Sequence, residues 1–171
     1  LCDKIGVPVN FTTPADLANR LVKICKVRGT DDLLWDIWIL DWRERAFTWG
    51  PYLAYRAATG VGRYLGSALK AYGGRSYSHV HLLAHSAGSN LIYHATPDFM
   101  EAGATVHATF LDAYDPNAPA IGNRHISKYG NNATWVENIV DTRDLPPPIS
   151  GLPILGPLDT TDLFLPSGFN V

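Results

Sequence analysis

The fold of this chain is decided by residues 78–92, whose sequence is SHVHLLAHSAGSNLI. The first half is an apolar run too short for a helix, as is typical of a central parallel strand covered on both faces. From the second half onward Leu91, Ile92 and Ala95 recur at helical spacing, and Pro97 is predicted to end the helix. Ser86 lies between the two halves, among small residues. The stretch therefore predicts a strand, a sharp turn with Ser86 at its apex, and a helix.

Helical and strand patterns alternate along the rest of the chain. Thr13 and Pro14 predict the start of a helix that runs through Cys25, and a longer helix is predicted from Tyr52 to Tyr72. The glycines of the longer helix are expected to allow close packing on a sheet. β-Branched and aromatic runs predict further strands at 36–40, 106–111 and 135–140. Strands separated by helices predict an α/β fold, with a parallel sheet flanked by helices.

The composition suits one globular domain spanning residues 1–171, with a proline-rich, irregular segment predicted at 145–171. The chain begins without methionine and both ends fall in structured-looking sequence, so an internal fragment, truncated at both ends, is expected. A formal net charge of −2 gives no indication of a nucleic-acid partner. No apolar run approaches the roughly 20 residues that cross a bilayer, so no transmembrane segment is predicted. Cys2 and Cys25 leave the redox compartment and their disulfide state open.

The sequence predicts no metal and no cofactor. Its histidines show no His-x-x-x-His spacing on one helix and its cysteines are not in paired spacing, which argues against zinc. Gly60-Val61-Gly62 lies within a predicted helix instead of following a strand, and this placement argues against dinucleotide binding.

Ser86 and its small neighbours match the nucleophile elbow of α/β-hydrolases, a small-x-Ser-x-Gly pattern in which Ala84 replaces the usual first glycine. The alternative is a serine that only caps the helix starting near Ala87. Three segments occur in an order that resembles the pancreatic-lipase-type branch of this superfamily. They are Ile39-Leu40-Asp41-Trp42-Arg43, the run VHLLAHSAG at 80–88, and Phe110-Leu111-Asp112-Ala113-Tyr114-Asp115-Pro116. The likeness covers roughly residues 30–145.

The resemblance implies a serine hydrolase of lipase or esterase type that cleaves carboxylic esters through an acyl-enzyme on Ser86. Asp112, which follows the strand after the elbow helix, is the implied acid, and the amide of Ala87 is an implied oxyanion-hole donor. A second donor is expected upstream of Leu1. The implied substrate is a small-molecule or lipid ester. A secreted or extracytoplasmic location is compatible with the resemblance, but the sequence leaves the localisation undetermined.

Other aspartates compete with Asp112 for the role of the acid. Asp115 precedes a proline, as the acid does in the family, but that position fits an ordinary turn equally well. Asp141 ends the last predicted strand, where other α/β-hydrolases carry the acid, and Asp144 beside it is expected to form an ordinary ion pair. Asp41, at the end of strand 36–40, is expected to have a structural role beneath the site. Asp112 is favoured over Asp115 and Asp141, and all three stay open.

The sequence does not identify the catalytic base. His125 alone lies in a predicted loop after the acid, but it precedes the last strand, whereas the base normally follows that strand. The other histidines are expected to pack, to form hydrogen bonds or to line the site; they are His79, His81, His85, His94 and His107. The base is therefore expected beyond Val171.

Two further functions are compatible with the same pattern. One is a non-catalytic hydrolase-fold binding module, in which Ser86 persists without a complete triad. The other is acyl transfer or peptide cleavage, because fold and elbow do not set the substrate. A group of aromatic residues is expected to belong to the core more readily than to an acyl pocket. Its members are Trp38, Trp42, Phe47, Trp49 and Tyr52.

Overall fold

The computed structural model describes residues 21–28, 34–46, 51–73, 77–121, 124–140, 163–165 and 168–170. Its helices are α1 Arg43–Ala46, α2 Pro51–Gly73 and α3 Gly88–Glu101. The longer strands are β1 Leu21–Arg28, β2 Leu34–Leu40, β3 His79–His85, β4 Thr105–Leu111 and β7 Trp135–Ile139. Strands of two or three residues are β5 Ala120–Ile121, β6 Arg124–Ile126, β8 Leu163–Phe164 and β9 Phe169–Asn170.

A parallel sheet with the strand order β3-β4-β7-β9 forms the centre of the described structure. Parallel neighbours need a crossover connection, and α3 is the crossover between β3 and β4. The register places His85 opposite Leu111 and Leu111 opposite Ile139, so the carboxyl ends of three strands lie level. The predicted α/β arrangement around a parallel sheet is confirmed at this level.

The core lies between the helices and one face of this sheet. Leu82 of β3, Phe110 of β4 and Val136 of β7 are buried in one cluster with the apolar residues of α2 and α3. Because strand residues alternate between the two faces, their neighbours point the other way. Among those neighbours Leu83 is 61% exposed and Trp135 is 58% exposed. One face of the sheet is therefore core, and the described residues leave much of the other face open. The prediction of a central strand covered on both faces is therefore wrong for β3, which is the end strand of the described parallel sheet and has one exposed face.

Two glycines of α2, Gly62 and Gly66, pack against α3, not against the sheet as the sequence predicted. A Cβ atom on Gly62 would meet the carbonyl oxygen of Leu91, and one on Gly66 would come within 2.5 Å of the Asp98 Cβ. Gly60 has no atom within 4 Å of that position. Glycine thus sets the close approach of the two helices at two positions of α2 and has no packing role at the third.

The helix predicted from Thr13 through Cys25 is wrong for its described part, because Leu21–Arg28 forms strand β1. The residues before Leu21 lie outside the described residues. β1 pairs antiparallel with β2, and the pairing contains an irregularity between Lys23 and Cys25. The run LVKICKVR has apolar residues at helical spacing but is also rich in β-branched residues, and pairing with β2 selects the strand. The predicted strand at 36–40 is present in β2, but in a two-stranded sheet of its own.

Pro97 does not end α3, contrary to the prediction. The helix continues through Glu101, and Gly103, with φ of +85°, follows its end in the left-handed region that glycine adopts without strain. The amide of Ala104 donates to the carbonyl of Phe99 over 3.0 Å and closes this end. Phe99 is itself buried in the core, so its packing favours another helical turn beyond the proline.

The described residues of the proline-rich segment 145–171 include two short strands. β8 pairs with β6, and β9 pairs with β7 as the outer strand of the parallel sheet. The aromatic residues of the proposed cluster are divided. Trp38 and Trp42 pack partly buried against the core, and Tyr52 is 48% exposed. Phe47 and Trp49 lie outside the described residues.

Candidate active site

Ser86 occupies a strained turn between β3 and α3. Its φ is +52°, a value uncommon for a residue with a side chain. The Ser86 amide donates to the carbonyl of Leu111 over 3.0 Å, and the Ser86 carbonyl accepts from the amides of Ser89 (3.0 Å) and Tyr114 (3.3 Å). A left-handed non-glycine residue costs of order 1–3 kcal/mol, and these three backbone hydrogen bonds hold it in place. The strand, turn and helix predicted around Ser86 are present.

The N-terminus of α3 begins directly behind this turn. Its N-cap residue is the buried Ala87, and no side-chain hydrogen bond caps the helix. The structure therefore gives no support to the alternative in which Ser86 is a capping residue. The first amides of a helix have no partners within it, and together they carry a partial positive charge. Ser86 thus lies at the end of the helix that favours a developing negative charge.

Two neighbouring elements fix the first turn of α3. The buried side chain of Asn90 donates to the carbonyl of Tyr55 over 2.8 Å and to the Thr59 hydroxyl over 2.7 Å, both on α2. On the opposite side, a Cβ atom on Gly88 would lie 3.4 Å from the Ala84 Cβ. This separation is an ordinary van der Waals contact, so Ala84 leaves enough room for the turn.

Asp112 follows β4 at the position level with Ser86. Its φ is +42°, and its amide donates to the carbonyl of Ile139 over 2.8 Å. The side chain is half-buried, with its Oδ1 atom shielded from solvent. The geometry places Asp112, the favoured acid, on the strand next to Ser86 and at the same edge of the sheet.

The competing aspartates have other surroundings. Asp115 accepts from the amide of Asn117 (3.1 Å) and from the hydroxyl of Ser127 (2.8 Å), as in an ordinary turn that ties two loops together. The Arg43 guanidinium donates two hydrogen bonds to the Asp41 carboxylate, from Nε to Oδ1 over 2.8 Å and from Nη2 to Oδ2 over 2.6 Å. Asp141 and Asp144 lie outside the described residues.

Four histidines have contacts away from the Ser86 turn. The ring of His79 lies against Trp35, and that of His94 lies against Tyr93. His81 Nε2 is hydrogen-bonded to the Thr109 hydroxyl, and His107 Nε2 lies 3.3 Å from a carboxylate oxygen of Glu137. His85 is exposed at the end of β3. His125 is a residue of β6, a short strand and not the loop that the sequence predicted, and its side chain lies outside the description. The catalytic base, which is expected beyond Val171, stays a prediction.

A cavity of about 350 Å³ lies beside the loop that follows Asp112. Its lining includes Tyr55, Asp115, Asn117 and Lys128. Asn117 donates to the Tyr55 hydroxyl over 3.3 Å, and burial raises the pKa of that hydroxyl above its ordinary value. No sequence pattern predicts this cavity, because Tyr55 comes from α2, far along the chain from the loop residues.

Side chains that could bind a metal ion meet on the open face of the sheet. Among the described residues, His81, His107 and Glu137 are such a group, with one ligand atom of each within 4.8 Å of the others. Sequence spacing reveals only ligands that are close together along the chain, whereas these residues come from β3, β4 and β7. No sequence spacing signals such a group.

Comparisons with protein families, with curated proteins and with solved structures found no match to this chain. None of the described helices is both long enough and apolar enough to span a membrane.

Proposed function

We propose that the chain carries the nucleophile and the acid of a serine hydrolase with the α/β-hydrolase fold, of the lipase or esterase type, which cleaves carboxylic esters. The observation that carries this proposal is the pair of left-handed residues, Ser86 and Asp112, side by side at the carboxyl ends of adjacent parallel strands. Reactive groups of parallel α/β proteins gather at this edge of the sheet. The strain at Ser86 also fits a function, since strained residues cluster at active sites.

In the proposed reaction the Ser86 hydroxyl oxygen attacks the carbonyl carbon of the ester while a histidine accepts its proton. The negative charge that forms on the carbonyl oxygen is stabilised by the amide of Ala87 and by the N-terminus of α3. One such donor typically contributes about 3 kcal/mol in the transition state. The alcohol leaves with the proton from the histidine, and water then hydrolyses the acyl-enzyme. Asp112 orients the imidazole and stabilises its protonated form.

A non-catalytic binding module on the same fold is the second candidate. It is supported by the histidines, because His79, His81, His94 and His107 have partners away from Ser86. In such a module Ser86 keeps its strained turn, but the chain lacks the proton acceptor that would make its hydroxyl a nucleophile.

Covalent labelling of the full-length protein distinguishes the two candidates. A fluorophosphonate probe is expected to modify Ser86, as identified by mass spectrometry of the peptide, and to abolish hydrolysis of p-nitrophenyl esters. Ser86→Ala should remove both signals. Ser78→Ala is the matched control, because Ser78 is exposed and directly precedes β3, at the end of the strand opposite Ser86. A folded parent protein that shows neither labelling nor ester turnover would exclude the hydrolase and favour the binding module.

A further inference from the structure

Three adjacent strands present a cluster of ligand atoms on the sheet face opposite α2 and α3. His81 of β3 is paired in register with His107 of β4, and Thr109 of β4 is paired with Glu137 of β7. Since side chains alternate along a strand, residues 107 and 109 point to the same side. The pairing therefore gathers two imidazoles and one carboxylate from three strands at one place.

The spacing of these atoms is close to that of ligands around one metal ion. In a tetrahedral site with bonds of about 2.05 Å, the ligand atoms lie about 3.3 Å apart. His107 Nε2 is already 3.3 Å from Glu137 Oε2, and the imidazoles of His81 and His107 are stacked with their centroids 4.1 Å apart. All three ligand atoms lie within 4.8 Å of one another. The planes of the two rings are only 3° apart, so the rings must tilt toward each other to aim both nitrogens at a shared ion.

Thr109 is hydrogen-bonded to two of these three residues from within the cluster. Its hydroxyl donates to Glu137 Oε2 over 2.9 Å and is hydrogen-bonded to His81 Nε2 at 2.8 Å. A partner of this kind orients a ligating carboxylate, as outer hydrogen bonds do in metal sites. The hydroxyl is buried while the imidazole of His81 is partly accessible. An ion can therefore reach the ligands from the open face of the sheet.

We propose that His81, His107 and Glu137 form a binding site for a divalent transition-metal ion, Zn²⁺ in particular. Two imidazoles and one carboxylate are a donor set that zinc accepts, and they leave a fourth position for water. Five residues separate His81 from Ser86 along the sheet, about 16 Å at the rise of a strand. The ion would therefore connect β3, β4 and β7, at a distance from the proposed ester-hydrolysis site at Ser86.

Metal titration of the tag-free, chelator-treated protein tests this proposal. Isothermal titration with ZnCl₂ should give one ion per chain, and Co²⁺ should produce the visible absorption of a tetrahedral complex. His81→Gln and Glu137→Gln should each weaken Zn²⁺ binding by more than about 100-fold. Thr109→Val should weaken it by about 10- to 100-fold, the usual effect of losing an outer partner.

His79→Gln is the matched control, because His79 lies on the same strand and face two residues before His81. It should bind Zn²⁺ like the parent. Circular dichroism of each metal-free variant establishes that it is folded before titration. The proposal is overturned if the folded parent takes up no Zn²⁺, or if His81→Gln and Glu137→Gln both bind it as tightly as the parent. In that case the cluster is a hydrogen-bonded network only.

Discussion

Ser86 and Asp112 stand level on neighbouring parallel strands, and both leave their strands with a left-handed backbone, at φ of 52° and 42°. Each amide reaches the next strand of the sheet, that of Ser86 to Leu111 and that of Asp112 to Ile139. Among the described residues these two alone combine a positive φ with a side chain. The strain is therefore concentrated where the proposed nucleophile and acid meet.

Glycine at position 86 should stabilise the protein while it removes the nucleophile. Ser86→Gly is expected to raise the free energy of unfolding by about 1 kcal/mol, since glycine adopts a positive φ without strain. Ser86→Ala keeps the strain and should bring no such gain. Urea denaturation of both variants measures the difference. Equal stabilities of the two variants would show that the turn stores no strain at this residue.

Asp112→Asn should remove the charge of the proposed acid and leave the backbone conformation at this position unchanged. Asn tolerates the left-handed region, so Asp112→Asn is expected to fold normally and to lower kcat for ester hydrolysis by about 10⁴-fold. Asp115→Asn weakens the bond to Ser127 and should mainly lower stability, by about 1 kcal/mol. Steady-state kinetics and denaturation of both variants test the assignment. If Asp115→Asn shows the larger loss of kcat, Asp115 replaces Asp112 as the acid.

Replacing Gly62 by alanine should destabilise the protein, whereas replacing Gly60, two residues earlier in α2, should stabilise it. Gly62→Ala places a Cβ against the Leu91 carbonyl and 2.9 Å from the His94 Cβ, so we expect a loss of about 1–3 kcal/mol. Gly60→Ala meets no atom and should gain up to about 1 kcal/mol from helix propensity. Thermal or urea unfolding of Gly62→Ala and Gly60→Ala measures the two changes in stability. Similar shifts in the two variants would contradict the close helix contact at Gly62.

Stability should fall between pH 7.5 and pH 5.5 in part because of His94. Burial, and then the positive charges of Lys128 and Arg63, lower its pKa below the ordinary value of about 6.5. The unfolded chain therefore binds a proton at a pH where the folded protein resists it, and the free energy of unfolding decreases as the pH drops. Urea denaturation at both pH values measures this slope.

His94→Gln should show a smaller loss over the same range, and Lys128→Met should show an intermediate one. His81, whose pKa is also lowered, by burial and by His107, contributes with the same sign and is present in all three proteins. Identical slopes in the parent and in His94→Gln would exclude this role of His94.

Local patterns in the sequence were sufficient for the strand and the helix on either side of Ser86. The apolar run before Ser86 and the helical spacing after it predicted β3 and α3, because a strand and an amphipathic helix have distinct sequence periods. Those patterns also placed Ser86 at the turn. They could not give its φ, which depends on hydrogen bonds to Leu111 and Tyr114 from the next strand and loop.

The predictions that are wrong, and the cluster that the sequence does not indicate, depend on contacts between residues that are distant in the chain. LVKICKVR suits a helix or a strand, and its pairing with β2 decides between them. Pro97 is an ordinary helix terminator, but the burial of Phe99 favours continuation. His81, His107 and Glu137 come together only through the strand register. Sequence periodicity describes one element at a time and contains none of these pairings.

The hydrogen bond from the Ser86 amide to Leu111 has a consequence for how the site can vary. The carbonyl of Leu111 belongs to the same peptide group as the Asp112 nitrogen, so a single hydrogen bond and a single peptide link join the two residues. The path along the chain, through α3 and the turn at Gly103, does not set their separation. The turn at Gly103 can therefore lengthen or shorten over evolution without changing the distance between Ser86 and Asp112, because hydrogen bonding within the sheet fixes that distance.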